Sequence, residues 1–102
     1  MVQTYIAEFI GVTKYLLRHE GAVRKKGFLV VGKEELTTLL EKNLYEQPLA
    51  KLRVWKSLQW IATDDDRVTK RAYDKDSGKY KSVVKIRLEA YETLERLNEM
   101  MG

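Results

Sequence analysis

The chain has 102 residues, the size of one domain with a single modest core. Its 44% hydrophobic and 33% charged residues are typical of a globular protein and exclude a disordered one. There is no cysteine, which excludes disulfides and thiolate metal sites, and no apolar run approaches the roughly 20 residues of a membrane span. Because the N-terminus also lacks the layout of a signal peptide, we expect a cytoplasmic protein that does not bind a membrane.

The net charge of +4 is concentrated in the middle of the chain. Residues 47–88 hold 11 Lys and Arg against 5 Asp and Glu, whereas the counts are 7 and 6 before this segment and 1 and 4 after it. Clustered cations are the electrostatic footprint of a nucleic-acid binder. A basic surface that meets only solvent has the same composition, so this reading stays open.

Residues 2 to about 18 have apolar side chains at helical spacing, among them Tyr5, Phe9 and Leu16. This pattern predicts a first helix that faces the core. Its apolar stripe is wider than one small core needs, so part of it could meet a second subunit, although core packing is the simpler account.

A turn and a short strand are predicted after the first helix. Gly21 suits a left-handed helix cap, and Phe28 to Val31 between two glycines predict a strand. The basic run at residues 24–26 is predicted to be a solvated loop, with a phosphate contact as the alternative. His19 is the only histidine, so it has no second imidazole for a metal and no partners for a catalytic triad. We interpret it as a helix-end residue.

Two helices with a tight connection are predicted next. Residues 33 to about 42 return to helical period, and Asn43 is a good left-handed stop. Pro48 suits the first position of the second helix, because it has no N–H to lose there, and it pushes Gln47 out of the helical region. The pair predicts a helix-turn-helix, although a generic helical hairpin has the same pattern.

The second of these helices has one apolar and one polar side. Its apolar side, which is predicted to face the core, carries Leu49, Leu52, Trp55 and Leu58. Its exposed side is predicted to carry Gln47, Ala50, Arg53 and Ser57, with Lys51 and Lys56 at the margins. A helix of this kind can lie in a DNA groove while its back rests on a core.

A strand at residues 60–62 and a polar turn at residues 63–66 are predicted to follow. The turn contains three consecutive Asp residues, Asp64 to Asp66. They lack the alternate spacing, the central glycine and the terminal Glu of a calcium loop. We therefore predict no metal site and no cofactor.

Residues 67–88 predict a β-hairpin, with Asp76-Ser77-Gly78 as a three-residue loop. If Lys75 faces Lys79, one face aligns the pairs Tyr73–Lys81, Arg71–Val83, Thr69–Lys85 and Arg67–Arg87. The opposite face aligns Val68–Ile86, Lys70–Val84 and Ala72–Ser82.

The first of these faces is crowded with cations, and no acid on it relieves their repulsion. A polyanion lying across it would do so, which predicts a nucleic-acid contact. The alternative is a hairpin that meets only solvent and whose Lys residues guard its edges.

Residues 89–101 predict a last helix. Ala90, Leu94, Leu97 and Met101 fit a short coiled-coil seam. A homodimer through the Val2–Leu17 and Ala90–Met101 helices is therefore one expectation, and docking of the last helix on the first helix of the same chain is the other.

The predicted order of helix, strand, helix, helix, hairpin and helix resembles a winged helix-turn-helix, an α+β fold. The resemblance covers residues 1–102 as one domain, with Glu34 to Leu40 and Leu49 to Leu58 as the motif's helices and Arg67 to Leu88 as the wing. The usual glycine before the wing is replaced by Gln59-Trp60, and the second helix has few polar groups. Both departures favour the wing as the main contact.

The resemblance implies a DNA-binding protein of the small bacterial, plasmid or phage type that acts on double-stranded DNA, as a transcriptional regulator or as an origin-binding or conjugation accessory protein. A winged helix that docks a protein partner is the alternative. The residues predicted to contact DNA are Gln47, Lys51, Arg53, Lys56, Ser57, Arg67, Lys70, Arg71, Tyr73, Lys79, Lys81, Lys85 and Arg87.

Catalysis is not expected. The sequence has no cysteine, one histidine, no glycine-rich phosphate loop and no paired carboxylates on an apolar surface.

Overall fold

Four helices and five strands make up the described part of the chain in this computed structural model. It describes residues 2–18, 23–62, 70–74 and 79–101, with positions 70–74 and 79–81 given by their backbone. The helices are α1 (Val2–Leu17), α2 (Lys33–Leu40), α3 (Pro48–Ser57) and α4 (Leu88–Met101). The strands are β1 (Val23–Lys25), β2 (Phe28–Gly32), β3 (Ile61–Ala62), β4 (Lys70–Asp74) and β5 (Lys79–Arg87).

All strand pairs are antiparallel, and β5 is the central strand. On one edge it pairs with β2, from Phe28 opposite Arg87 to Gly32 opposite Val83, and β1 lies outside β2. On its other edge β3 and β4 pair with it one after the other. This α+β arrangement of helices and an antiparallel sheet confirms the predicted class and is compatible with a winged helix.

Several predictions fall outside the described residues. They are the histidine and the glycine cap at 19 and 21, the Asp run at 64–66, the loop at 76–78, and the DNA contact predicted for Arg67.

The basic segment at residues 24–26 is part of a hairpin, where the sequence predicts a loop. β1 and β2 are joined by Lys26 and Gly27, whose φ values of 51° and 83° both lie in the left-handed region. Two consecutive left-handed residues form the turn type whose twist matches a two-residue hairpin. β1 has only three exposed residues, so no apolar alternation marks it in the sequence.

One face of the sheet, here called the inner face, packs against the helices. Leu29 and Val31 of β2 and Val84 and Ile86 of β5 are buried in one core with Phe9, Leu36, Leu52 and Trp55. The Phe9 ring lies edge-on to Trp55, with 4.9 Å between ring centroids. Pairs of this geometry add about 0.5–1.5 kcal/mol beyond the area they bury. The core therefore holds α1 and α3 together directly.

Helix α3 begins as predicted and buries a narrower side than predicted. Pro48 is its first residue, and Gln47 has an extended backbone with ψ 146°. Leu52 and Trp55 are buried, whereas Leu49 is 46% and Leu58 is 42% exposed. At 3.6 residues per turn, Leu49 lies about 60° around the helix from Leu52, at the edge of the buried side. Leu58 is the C-cap residue and follows the last helical residue, Ser57.

The end of α3 is closed by Gln59 in the place of the usual glycine. Gln59 has a φ of 61°, the Trp60 amide donates to the Trp55 carbonyl at 2.8 Å, and the Gln59 amide donates to Lys56 at 3.0 Å. These two hydrogen bonds are those of a Schellman cap. Asn43 does not have the positive φ that the sequence predicts for it, and α2 ends at Leu40.

Candidate nucleic-acid interface

The exposed side of α3 carries three of its predicted contact residues. Gln47, Arg53 and Ser57 are exposed, and Lys56 is half-buried. The Ser57 hydroxyl donates to the Val54 carbonyl at 2.9 Å. Arg53 forms no ion pair with any carboxylate in the described part of the chain. Its five N–H donors are therefore the main polar group on this surface.

Lys51 is the clearest correction to the predicted interface. Its side chain is fully buried, so it does not contact DNA. The ammonium Nζ lies 3.0 Å from Glu8 Oε2 of α1. Positions 51, 52 and 55 lie on the same side of α3, and this side faces the core. The sequence predicts Lys51 at the margin of the exposed side of α3. This prediction is wrong because the buried side is centred closer to Lys51 than the spacing of the leucines indicates.

The ammonium of Lys51 is completely satisfied where it lies. It donates to Glu8 Oε2, to the Leu40 carbonyl at 2.6 Å and to the Asn43 carbonyl at 2.6 Å. It also lies 4.3 Å from the centre of the Tyr45 ring. An ammonium has three donors, and each is used here. Lys51 thus satisfies one backbone carbonyl at the end of α2 and one in the turn that leads to α3.

Glu8 is held from the same turn. Its Oε2 accepts a hydrogen bond of 3.0 Å from the side-chain amide Nδ2 of Asn43, and its Oε1 accepts one from the Tyr45 hydroxyl. Burial, followed by the hydrogen bond and the charge of Glu8, raises the pKa of Tyr45. We call Glu8, Asn43, Tyr45 and Lys51 the turn network. Because buried polar groups are costly unless satisfied, this network specifies one geometry for the α2–α3 turn.

The register of the β4–β5 hairpin differs from the prediction by one residue. Asp74 lies opposite Lys79, Tyr73 opposite Tyr80, and Arg71 opposite Ser82. A slip of one residue moves every position of one strand to the other face. Positions 71 and 73 therefore share a face with Ser82 and Val84, and not with Lys81 and Lys85 as predicted.

A physical reason for this register lies in its closing pair. The predicted register sets Lys75 opposite Lys79, two like charges, which destabilises an antiparallel pair. The observed register sets Asp74 opposite Lys79, two opposite charges, and leaves four residues between the strands. The change adds both Lys70 and Asp74 to the face of positions 79, 81 and 83, so the prediction that no acid lies on the cationic face is wrong.

The cations of β5 itself share one face, as the alternation predicts. Positions 79, 81, 85 and 87 alternate with Val84 and Ile86, which belong to the inner face. They therefore lie on the opposite face, here called the outer face. Because α3 packs below the inner face, its exposed side and the outer face of the core sheet, at positions 85 and 87, point in different directions. The single basic surface that the sequence predicts is thus divided, with positions 85 and 87 separated from α3.

The hairpin extends beyond the rest of the described sheet. Positions 79–82 of β5 pair with β4 alone, whereas position 83 pairs with both β4 and β2, and positions 84–87 pair with β2. We call the two-stranded part, positions 71–74 and 79–82, the ribbon. Two-stranded ribbons twist more strongly than larger sheets, so the face of this part rotates relative to the core sheet.

Sequence reasoning missed the structural environments of two charged residues, one in α1 and one in β1. Glu8 is buried on α1, although the sequence places it off the apolar stripe, and Lys25 lies on the outer face opposite Phe28. Glu8 adjoins the core residue Phe9, which is the one local signal of its burial. Lys51, the partner of Glu8, is 43 residues distant, and Arg87, which shares the outer face with Lys25, belongs to β5; local pattern indicates neither.

No described helix is both long and apolar enough to cross a membrane. In the ranges that the structure describes, no group of three or more His, Cys, Asp or Glu is placed to hold a metal. Searches against protein-family models and against curated proteins give no match to this chain.

Proposed function

We propose that this chain is a winged helix-turn-helix protein that binds double-stranded DNA without catalysis. One observation carries the proposal: the ribbon leaves the body of the sheet with Lys79, Lys81 and Asp74 at positions of one face, and Lys70 lies on the same face at its base. A protruding two-stranded element with cations on one side suits a DNA backbone, where phosphates attract Lys and Arg.

The ribbon and α3 have different tasks in this proposal. Cations of the ribbon contact phosphates and fix the position of the protein, which carries no sequence information. Arg53 enters the major groove, where an Arg pairs with the two acceptors of guanine, and Gln47 is suited to adenine. The turn network holds α3 at the angle from which these side chains reach the bases.

Duplex binding at several salt concentrations tests the proposal. Each phosphate contact contributes about −0.9 to the slope of log affinity against log salt, so the Lys79→Ala and Lys81→Ala double variant should make the slope shallower by about 1.8. The control is Lys33→Ala with Lys42→Ala, which removes two exposed cations elsewhere. An unchanged slope in the first variant, or an equal change in the control, would contradict the ribbon contact.

Arg53→Ala tests the reading of bases separately. It should reduce the preference for a selected duplex over a random one by about 1–3 kcal/mol while leaving random-duplex binding largely intact. A loss of the same size on both duplexes would mean that Arg53 contacts only the backbone.

The biological role within this proposal is transcriptional regulation, or the marking of an origin or transfer origin for a plasmid or phage. The chain would act as a homodimer through α1 and α4. Leu97 and Met100 of α4 are 49% and 78% exposed, and apolar residues at this end of a helix suit a subunit contact. Leu97→Glu should then lower the mass measured by light scattering from two chains to one.

Docking of a protein partner is the second candidate function, and the surroundings of α3 favour it. Leu44 is 91% exposed and Leu49 is 46% exposed, next to the start of the helix. Exposed apolar side chains grouped on a surface mark protein contacts. A gel shift with random duplex at low salt separates the two functions, because a protein-docking surface gives no shift.

A further inference from the structure

The outer face of the sheet has a second feature at the end away from the ribbon. Two rows of residues cross its strands there: Lys25, Phe28 and Arg87 form one row, and Val23, Val30 and Lys85 form the other. We call these six residues the platform. With strands about 4.8 Å apart, Lys25 and Arg87 flank Phe28 at roughly 10 Å from each other.

The platform is partly open to solvent, and its cations have no carboxylate partner among the described residues. Lys25 and Arg87 are exposed, Phe28, Val30 and Lys85 are half-buried, and Val23 is 62% exposed. None of its three cations forms an ion pair with a carboxylate in the part of the chain that the structure describes. An aromatic ring and aliphatic side chains on a sheet face, bordered by cations, therefore meet solvent.

We propose that the platform is a binding site for single-stranded DNA. A base stacks on the ring of Phe28, and the phosphates on either side of it meet Lys25 and Arg87. Non-specific single-strand binders combine these two elements, an aromatic ring for stacking and cations that track the backbone. A duplex keeps its bases paired inside, so it would use the cations and leave the ring without a partner.

This site is distinct from the proposed duplex interface. It uses the outer face at the β1–β2 end, whereas the duplex interface uses α3 and the ribbon. We assign DNA because duplex DNA is the ligand of the proposed function, on which this choice of nucleic acid rests. An acidic peptide would also pair with the cations but would not require a ring, so variants of Phe28 separate the two ligands.

Fluorescence anisotropy with a labelled oligo-dT of about 12 nucleotides, a length within the site sizes of such binders, tests the proposal on the full chain at low salt. Phe28→Leu retains apolar bulk and removes the ring. Since stacking on an aromatic ring is worth about 1–3 kcal/mol per base, affinity should fall by about 5- to 150-fold. Phe28→Tyr retains the ring and should restore binding.

The cations are tested with Lys25→Gln and Arg87→Gln together. Each phosphate contact on a single strand contributes about −0.7 to the salt slope, so the slope should become shallower by about 1.4. Lys33→Gln with Lys42→Gln is the control of equal charge change and should leave the slope as it is. Circular dichroism confirms that each variant is folded before binding is compared.

Three results would overturn the proposal: no binding of oligo-dT by the parent chain at low salt, equal binding by Phe28→Leu and the parent, or equal weakening by the control pair. Failure of the duplex proposal gives a different result. Arg53→Ala should change the preference among duplexes and leave oligo-dT binding unaltered. A loss of oligo-dT binding in Arg53→Ala would mean that single-stranded DNA binds at α3, which would also contradict binding at the platform.

Discussion

Lys51 and Lys85 are the same residue type, and the sequence predicts a DNA contact for both, yet they occupy opposite environments. Lys51 is fully buried, with Glu8 at 3.0 Å and two backbone carbonyls at 2.6 Å. Lys85 is half-buried on the outer face opposite Val30, and no described carboxylate forms an ion pair with it.

This difference shows that the number of cations in a segment of sequence overestimates the number of cations that the folded segment exposes. The excess of cations in residues 47–88 includes Lys51, which is neutralised by an acid from α1, outside that segment. The exposed side of α3 is correspondingly less basic than its sequence. Among the cations of this segment whose side chains the structure describes, Arg53 and Arg87 are exposed, and Lys56 and Lys85 are half-buried. Alternation along β5 places positions 79, 81, 85 and 87 on one face.

Lys51→Met should give the largest effect, because it leaves Glu8 buried without a countercharge. Breaking a buried pair in this way costs about 3–5 kcal/mol. Urea unfolding measures the loss, and Arg53→Met on the exposed side of the same helix is the control, expected within about 0.5 kcal/mol of the parent. If Lys51→Met and Arg53→Met have similar free energies of unfolding, the buried and exposed environments do not differ in the way described.

A double-mutant cycle sharpens the same comparison. Glu8→Met and Lys51→Met together remove both charges, so the double variant should lose less stability than the two single losses combined. The coupling energy expected for residues in one network is about 0.5–3 kcal/mol. Strict additivity in urea unfolding would mean that the two side chains act independently.

Tyr91 extends the comparison to a titrating group at the α1–α4 contact. Its hydroxyl donates to Glu95 at 2.7 Å, and Lys14 lies 3.2 Å from the same carboxylate. Burial and the bond to Glu95 raise the pKa of Tyr91 from 10.0 to about 12, whereas the hydrogen bonds of Tyr91 and Lys14 lower the pKa of Glu95. Tyr91 is thus held in its neutral form.

Because the folded pKa of Tyr91 is the higher one, its contribution to stability is complete below about pH 10 and is lost as the pH rises towards 12. Tyr91→Phe should reduce the fall in unfolding free energy across this range. Tyr5→Phe, which removes a hydroxyl from α1 and retains the ring that contacts Tyr45, is the control. An alkaline transition of unchanged size in Tyr91→Phe would contradict the assignment.

Lys85→Met should give the smallest change in stability, as the counterpart of Lys51→Met. Surface substitutions away from special features stay within about 0.5 kcal/mol, and a methionine covers Val30 as well as the lysine stem does. Thermal unfolding measures this. A loss near that of Lys51→Met would show that Lys85 has a buried partner and no available charge.

A structural feature of this protein is predicted from the sequence when the interactions that form it are local, and it is missed when they join residues far apart in the chain. Helical period and Pro48 locate α1, α3 and α4 within a few residues, since these signals are local. The Glu8–Lys51 pair escapes prediction because its members are 43 residues apart. The register of the β4–β5 hairpin escapes prediction because the same residues can close either a three-residue loop or a four-residue loop. The observed four-residue loop sets Asp74 opposite Lys79, and the sequence alone does not reveal that this pair forms.

Strand β1 has a consequence for the behaviour of many chains together. It is the outer edge of the described sheet, three residues long, and two of the three are Arg24 and Lys25. An open edge offers unpaired backbone groups on which another molecule can add a strand. When two copies approach edge to edge, like charges meet before backbone hydrogen bonds form, so growth of the sheet into fibrils is opposed from this side.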